Sequence, residues 1–286
     1  MRNILFLRRN FFWVLFTAIL FLAIALRFYD YNDRYGLAYD QAHDAVVSRY
    51  AVSENKIPLL GPFSSAGPFQ TGGEWYWLLM IPISIYPYSI LSPWIFITIL
   101  YVIFVACIIL LGKEIKGNVF GLFVGALAAV STAQISQSLN LTNQAPHALI
   151  ALLAIWAMLR FIKKKKDKYL FFIAFFVSLS ISIHLQGVAL MIFLLLTIIL
   201  TGIPSKKGVI VILAGLLIPL SPILIYDIWH DFFNIRNMVN YYLFDQYKIS
   251  FDVLGRRWLT YVGEFLPQSW SYIIGGLVIS GYIQRV

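Results

Sequence analysis

Trp75-Tyr76-Trp77-Leu78-Leu79-Met80, with Pro82 and Pro87 close behind, is the stretch on whose reading the membrane topology turns. Read as a full span, it would put every later loop on the opposite side. Its aromatic residues, prolines and short length suit a helix lying at the membrane interface better than one that crosses. Charge decides between the two readings. With the Trp75 segment interfacial, Lys113/Lys116, Arg160 with Lys163 to Lys168, Lys206/Lys207 and Arg285 all share one side with the N-terminus. That side then carries 14 basic and 2 acidic residues, and the other 8 and 11. A crossing Trp75 segment would throw the Lys163 cluster outside, against the positive-inside rule.

Composition sets the frame for this choice. Of 286 residues, 60% are hydrophobic and 12% charged, and the mean hydropathy is +0.78. Soluble domains carry roughly 25% charge, so the chain is expected to be a polytopic membrane protein. The net charge of +9 sits in short clusters between apolar runs, as orientation requires, and not in a nucleic-acid-binding face. The single cysteine, Cys107, lies in an apolar run and excludes an internal disulfide.

Outward from that stretch, Arg2, Arg8 and Arg9 precede an apolar run from Phe11 to Leu26. A signal peptide is one reading, with Ala23-Ile24-Ala25 as a small-residue cleavage site. The run is nearly long enough to span and more spans follow, so an uncleaved first helix with a cytoplasmic N-terminus is favoured. Further spans are expected at about 93–111, 119–133, 146–162, 169–185, 188–203, 209–226 and 270–283, about eight in all. The expected fold is an all-α polytopic helix bundle, one domain over 1–286. Its extracytoplasmic loops fall at about 28–92 and 227–268, the first carrying interfacial helices.

Polar residues not explained by orientation gather on the outer side. Tyr39-Asp40-Gln41-Ala42-His43-Asp44-Ala45 opens a stretch without Gly or Pro to Val52, so the two acids project from one helical face. Leu60-Gly61-Pro62 and Gln70-Thr71-Gly72-Gly73 carry turn chemistry. Ser136 to Gln144, His184-Leu185-Gln186 and Asp227 to Gln268 complete the set. Almost nothing ionisable sits mid-span, which disfavours a transporter. No His-x-x-x-His spacing appears among His43, His147, His184 and His230, so no structural zinc is expected. Asn140-Leu141-Thr142 fits a glycan acceptor pattern, frequent by chance. Lys163 to Lys166 is read as a topological determinant.

This order of elements resembles the polytopic GT-C glycosyltransferases, the protein mannosyltransferases and aminoarabinose lipid A transferase among them. The resemblance lies in the acidic motif after the first helix, the Gly-Pro and Gly72-Gly73-Glu74 elements leading into Trp75-Tyr76-Trp77, and Pro222 to Arg236 with Asp227, His230, Asn234 and Arg236. Two departures stand out. Gln41 occupies the place of the second acid of the usual Asp-Glu pair, which leaves Asp44 as its substitute, and the chain ends at Val286, shorter than such enzymes generally are. A fragment and a minimal core are both open.

The resemblance implies transfer of a monosaccharide from a polyprenyl-phosphate donor to a protein, lipid or glycan acceptor, at the outer face of the plasma (inner) membrane and with inversion. It assigns Asp40 as general base. Asp44 is a second catalytic carboxylate that orients the acceptor, holds a divalent ion (Mg or Mn) or raises the pKa of Asp40. Arg236, His230, Asn234, His184, Gln186 and Arg49 are candidates for the donor phosphate or substrate, with Lys56, Lys248, Arg256 and Arg257 as further cations. Arg256-Arg257 beside Trp258 reads equally as a headgroup anchor. Gly61, Pro62, Glu74, Trp75 and Tyr76 form the expected acceptor loop. For Trp75 and Trp77, anchoring at the interface is favoured over sugar stacking. The competing functions are a lipid-linked sugar flippase and a non-catalytic scaffold of an envelope complex.

Overall fold

A computed structural model describes residues 2–64, 67–244 and 251–269. The last expected span (270–283), Arg285, Lys248 and the side chain of Arg256 lie outside the described residues. The chain forms helices α1 (Arg2–Phe28), α2 (Tyr31–Arg34) and α3 (Tyr39–Ser53), a hairpin of β1 (Leu60–Phe63) and β2 (Gln70–Gly72), and α4 (Glu74–Ile85). Then follow α5 (Ser92–Lys116), α6 (Asn118–Val130), α7 (Thr132–Ser138), α8 (His147–Lys164) and α9 (Asp167–Ile183). A 3-10 turn (Leu185–Leu190) leads into α10 (Met191–Thr201), α11 (Lys206–Trp229), α12 (Phe233–Leu243) and α13 (Phe251–Thr260). Among the described residues three helices are long and apolar enough to cross a membrane, Asn10–Phe28, Ser92–Lys116 and Lys206–Trp229. The α6–α7 pair makes a fourth if its 60° bend lies within one broken span. This is an all-α polytopic membrane protein.

The chain divides into two compact units, with α5 shared between them at Leu100. In the first unit, α1 packs on α6, and a fully buried arginine marks the join. Arg27 Nη1 donates to the carbonyl oxygens of Ala23 at 3.2 Å and Ala129 at 3.0 Å, and Nη2 to that of Ala128 at 3.3 Å. Helix α6 stops at Ser131, so carbonyls of its last turn lack the amides four residues on. The guanidinium supplies those donors. A Cβ on Gly125 would strike the side chain of Ile109, so glycine allows α5 and α6 to approach closely.

In the second unit α9 is the central helix. Its residues Leu170, Ile173, Ala174 and Val177 are buried in one cluster with Leu194 of α10, Ile212 of α11 and Ala157 of α8. Gly215 brings α11 onto α9 closely enough that a Cβ there would lie 2.5 Å from the carbonyl oxygen of Phe171. Helix α4 has 12 residues, a rise of about 18 Å, short of a hydrocarbon core of about 30 Å. One face of it is packed inside the protein, however, while Ile81 and Ile85 stay exposed. Trp75, Tyr76, Leu79, Pro82 and Ile83 are buried, and α4 packs against α3 and α9. Trp75, read as an interface anchor, is interior packing, because its indole N–H has a partner inside the protein, whereas Trp77 is half-buried with its indole N–H on the Pro58 carbonyl.

Candidate functional site

The head of α3 presents one carboxylate and hides another. Backbone at Ala38 is extended, and Gln41 turns back so that its Oε1 accepts the Ala38 N–H at 3.3 Å. That bond caps the start of the helix. The Gln41 amide also donates to Asn140 Oδ1 at 3.4 Å, which engages the residue of the expected glycan acceptor pattern. Gly36 lies against the same amide, with no room for a Cβ beside Asn140.

Asp40, the first residue after Tyr39, is exposed and has no hydrogen bond among the described residues. Asp44, one turn on, is 5% exposed. Its Oδ2 accepts the Trp75 indole N–H at 2.7 Å; Oδ1 accepts the Tyr76 hydroxyl at 3.4 Å and faces His43 Nδ1 at 3.2 Å. Burial pushes the Asp44 carboxyl above the usual carboxylate range, against the opposing pull of Trp75, His43 and Tyr76. Tyr76 is pushed up as well, by burial and then by the Asp44 charge. Both Asp44 oxygens are therefore occupied in fastening α3 to α4. Arg49 reaches from α3 to the carbonyl oxygens of Pro87 and, at 2.9 Å, Ser89. These two clamps fix the helix that carries Asp40.

The hairpin and the segment after α11 form one polar assembly. Asp227, fully buried at the end of α11, accepts the N–H groups of Asn234 at 2.9 Å and Ile235 at 3.0 Å, capping the start of α12. Asn234 pairs with Gln70 as a strand would: Oδ1 accepts its N–H at 2.7 Å and Nδ2 donates to its carbonyl at 3.0 Å. Asn234 is thus a structural clamp on β2, with both ends of its amide used. Asn237 Nδ2 donates to the Pro68 carbonyl at 2.9 Å. Gly61 sits where a Cβ would meet the Gly72 carbonyl across the hairpin, and the Pro62 carbonyl accepts the Thr71 hydroxyl at 3.3 Å. His230 and Arg236 remain exposed. The His230 ring stacks on Tyr226 with centroids 3.9 Å apart, and its Nδ1 lies 2.8 Å from the Tyr226 carbonyl. Arg236 donates from Nε and Nη2 to the carbonyl of Asp231. Asp231 and Phe232 are both left-handed, φ 52° and 56°, a costly pair for residues with side chains. The Asp227 cap and the Arg236 contact hold that turn.

Glu74 starts α4 and is buried. Its Oε2 accepts the Ser182 hydroxyl at 2.7 Å, beneath Gly72, whose missing side chain leaves room for that pair. Burial raises its carboxyl, opposed by the Ser182 bond. His184 ends α9: its Nδ1 accepts the Gln186 N–H at 3.1 Å, its Nε2 lies 3.2 Å from the Gln144 amide, and the His147 ring stands 6.0 Å away. The Gln186 side chain is exposed. Arg257 and Trp258 are exposed on α13. Among the described residues no three His, Cys, Asp or Glu side chains converge to hold a metal ion.

Some working residues escaped the sequence reading as individuals. Asp227 stood within a quoted motif, but its role as a helix cap needed the turn at 230–232. Ser182 carried no signal, being one serine on an apolar helix. Arg27, at the end of the first apolar run, was not read either, although an arginine there signals a need for acceptors.

In this all-α membrane protein, then, an exposed acid stands at the head of a clamped helix. The family model described as dolichyl-phosphate-mannose-protein mannosyltransferase matches residues 75–226, more than half of the chain, and the chain belongs to that family. The match begins just after Glu74 and ends at Tyr226, so Asp40 and the Asp227–Arg236 segment flank it. No curated protein and no solved structure matches the chain.

Proposed function

We propose that this protein transfers a monosaccharide from a polyprenyl-phosphate donor to an acceptor hydroxyl on the extracytoplasmic face of the inner membrane, with inversion at the anomeric carbon. The observation that carries the mechanism is the contrast between its two paired acids. Asp40 is exposed and unengaged, so it can take the proton of an attacking hydroxyl within hydrogen-bond reach. Asp44 is buried with both oxygens engaged by Trp75, Tyr76 and His43, and serves as a positioning residue for the helix. Family membership supplies the reaction class, glycosyl transfer, and the family's description supports reading the donor as a lipid-phosphate-linked sugar.

The leaving phosphate gains charge as the glycosidic bond breaks and needs fixed donors. Arg236 is the first choice. It is exposed, and its Nη1 N–H groups are unengaged among the described residues, because only Nε and Nη2 bind Asp231. His230, earlier in the same segment and exposed, is the second. Arg49 is committed to the 87–89 loop and His184 to the end of α9, so these support the scaffold. A Mg or Mn ion at the head of α3 would be held by the exposed Asp40 carboxylate and would draw the rest of its shell from donor phosphate and water. The sidedness follows the charge bias, which places the N-terminus in the cytoplasm.

The test is Asp40→Asn in purified protein supplied with a polyprenyl-phosphate sugar and membrane acceptors. Transfer is expected to fall by about 10²–10⁴-fold with unchanged thermal unfolding. Near-normal transfer by this variant would overturn the assignment. Transport of the labelled donor into liposomes at the wild-type rate, with no transfer, would instead favour a flippase.

A further inference from the structure

Glu74 stands in the wall of a cavity of about 410 Å³ within the second unit, inside the range of about 300–1,000 Å³ typical of ligand sites. The rest of the wall is apolar, with Trp77 and Ile81 of α4, Ile150 of α8, Leu179 of α9 and Pro219 of α11 among its residues. Among the described residues Glu74 is the one ionisable group lining it. The side chain is 8% exposed. One oxygen, Oε2, is engaged by Ser182 at 2.7 Å. The other, Oε1, is buried without a hydrogen bond among the described residues. Folded proteins rarely keep such an atom unpaired, and a donor arriving from the cavity would pair it.

The chemistry of the wall selects that donor. An anionic head group would meet a carboxyl and no cation to balance it. An ammonium would lose its water on entry and bring a second charge into an apolar space. A hydroxyl does neither. It donates to Oε1 if Glu74 is ionised and can accept from the carboxylic acid if Glu74 is protonated, so it satisfies the site in either state. Burial, which favours the neutral acid, is consistent with an uncharged partner.

We propose that this cavity binds an uncharged aliphatic alcohol, with the hydrocarbon chain among the α4, α8, α9 and α11 side chains and the hydroxyl on Glu74 Oε1. The site goes beyond the transfer reading: it takes a neutral lipid hydroxyl and leaves the donor's charged phosphate to the exposed Arg236 segment.

The test is equilibrium binding of tritiated farnesol to the full chain in phosphatidylcholine nanodiscs, with no sugar donor present. Saturable binding is expected, retained within about threefold by Glu74→Gln, whose amide still meets a hydroxyl, and weakened at least tenfold by Glu74→Leu. Leu179→Trp fills the cavity and is expected to abolish binding; it decides the matter should Glu74→Leu fail to fold. Farnesyl phosphate and farnesylamine are expected to bind at least tenfold more weakly than farnesol. Equal or tighter binding of farnesyl phosphate would reassign the cavity to the donor's lipid and overturn the proposal. Farnesol affinity unchanged in Glu74→Leu or in Leu179→Trp would also overturn it. Neither measurement uses transfer activity, so failure here leaves the Asp40 mechanism standing, and the converse holds.

Discussion

Asp40 and Asp44 share a helix and a side-chain type, yet one faces solvent and the other is held between an indole, a phenol and an imidazole. Removing the Asp44 carboxylate strands the Trp75 N–H and the Tyr76 hydroxyl in the interior. Asp44→Ala is therefore expected to cost about 1–3 kcal/mol, read as a lowered midpoint of thermal unfolding in detergent. The raised Asp44 pKa fixes the sign of a pH effect. Its folded value lies above the unfolded one, so the stability it contributes is full below the ordinary carboxylate range and is lost as pH rises through the folded value. Asp44→Asn mimics the neutral acid and keeps an acceptor for Trp75. Its advantage over wild type should grow as pH rises through that window; a constant difference across the range would show that Asp44 does not titrate there. The pairing of the two acids at one-turn spacing was legible in the sequence. Their division into a presented and a buried group was not, because depth depends on α4, thirty residues away in the chain.

At the scale of elements, the segment from α11 to α12 acts through its backbone. Asp227 caps α12, and α12 in turn offers Asn234 and Asn237 to the hairpin. Asp227→Ala leaves two amides without an acceptor and is expected to cost about 1–2 kcal/mol. The hairpin should loosen with it, seen as faster proteolysis between Phe63 and Gln70 while α8–α10 stay protected. Unaltered proteolysis would mean that the hairpin is held without this clamp. The motif was visible in the sequence as a Pro-acid-His-Asn-Arg run, and it resembled a ligand set. Asn and Asp are the same residues that cap helices and mimic strands, so composition alone does not separate the two uses. Helix α4 shows the same limit. Its shortness was readable from the chain, but its burial was not: Trp and Tyr suit an interface and an interior equally, until a buried acid stands opposite.

For the whole molecule, the charge bias makes a sided prediction. In a Cys107→Ser background, Asn55→Cys should react with a membrane-impermeant maleimide on intact cells. Lys164→Cys should react only after permeabilisation. The reverse pattern would move Asp40 to the cytosol and remove the proposed mechanism. The helical membrane character was determined by the sequence itself, since long apolar runs must satisfy their backbone groups internally wherever they fold. The expected sidedness rests likewise on the sequence, through the placement of Lys and Arg between runs. What only the tertiary structure decided is which polar groups remain available. Asp44, Asn234 and Arg49 are consumed by partners distant in sequence, while Asp40, Arg236 Nη1 and Glu74 Oε1 are left over among the described residues. A side chain's chemistry is local, but whether it is already satisfied depends on what the folded chain brings beside it.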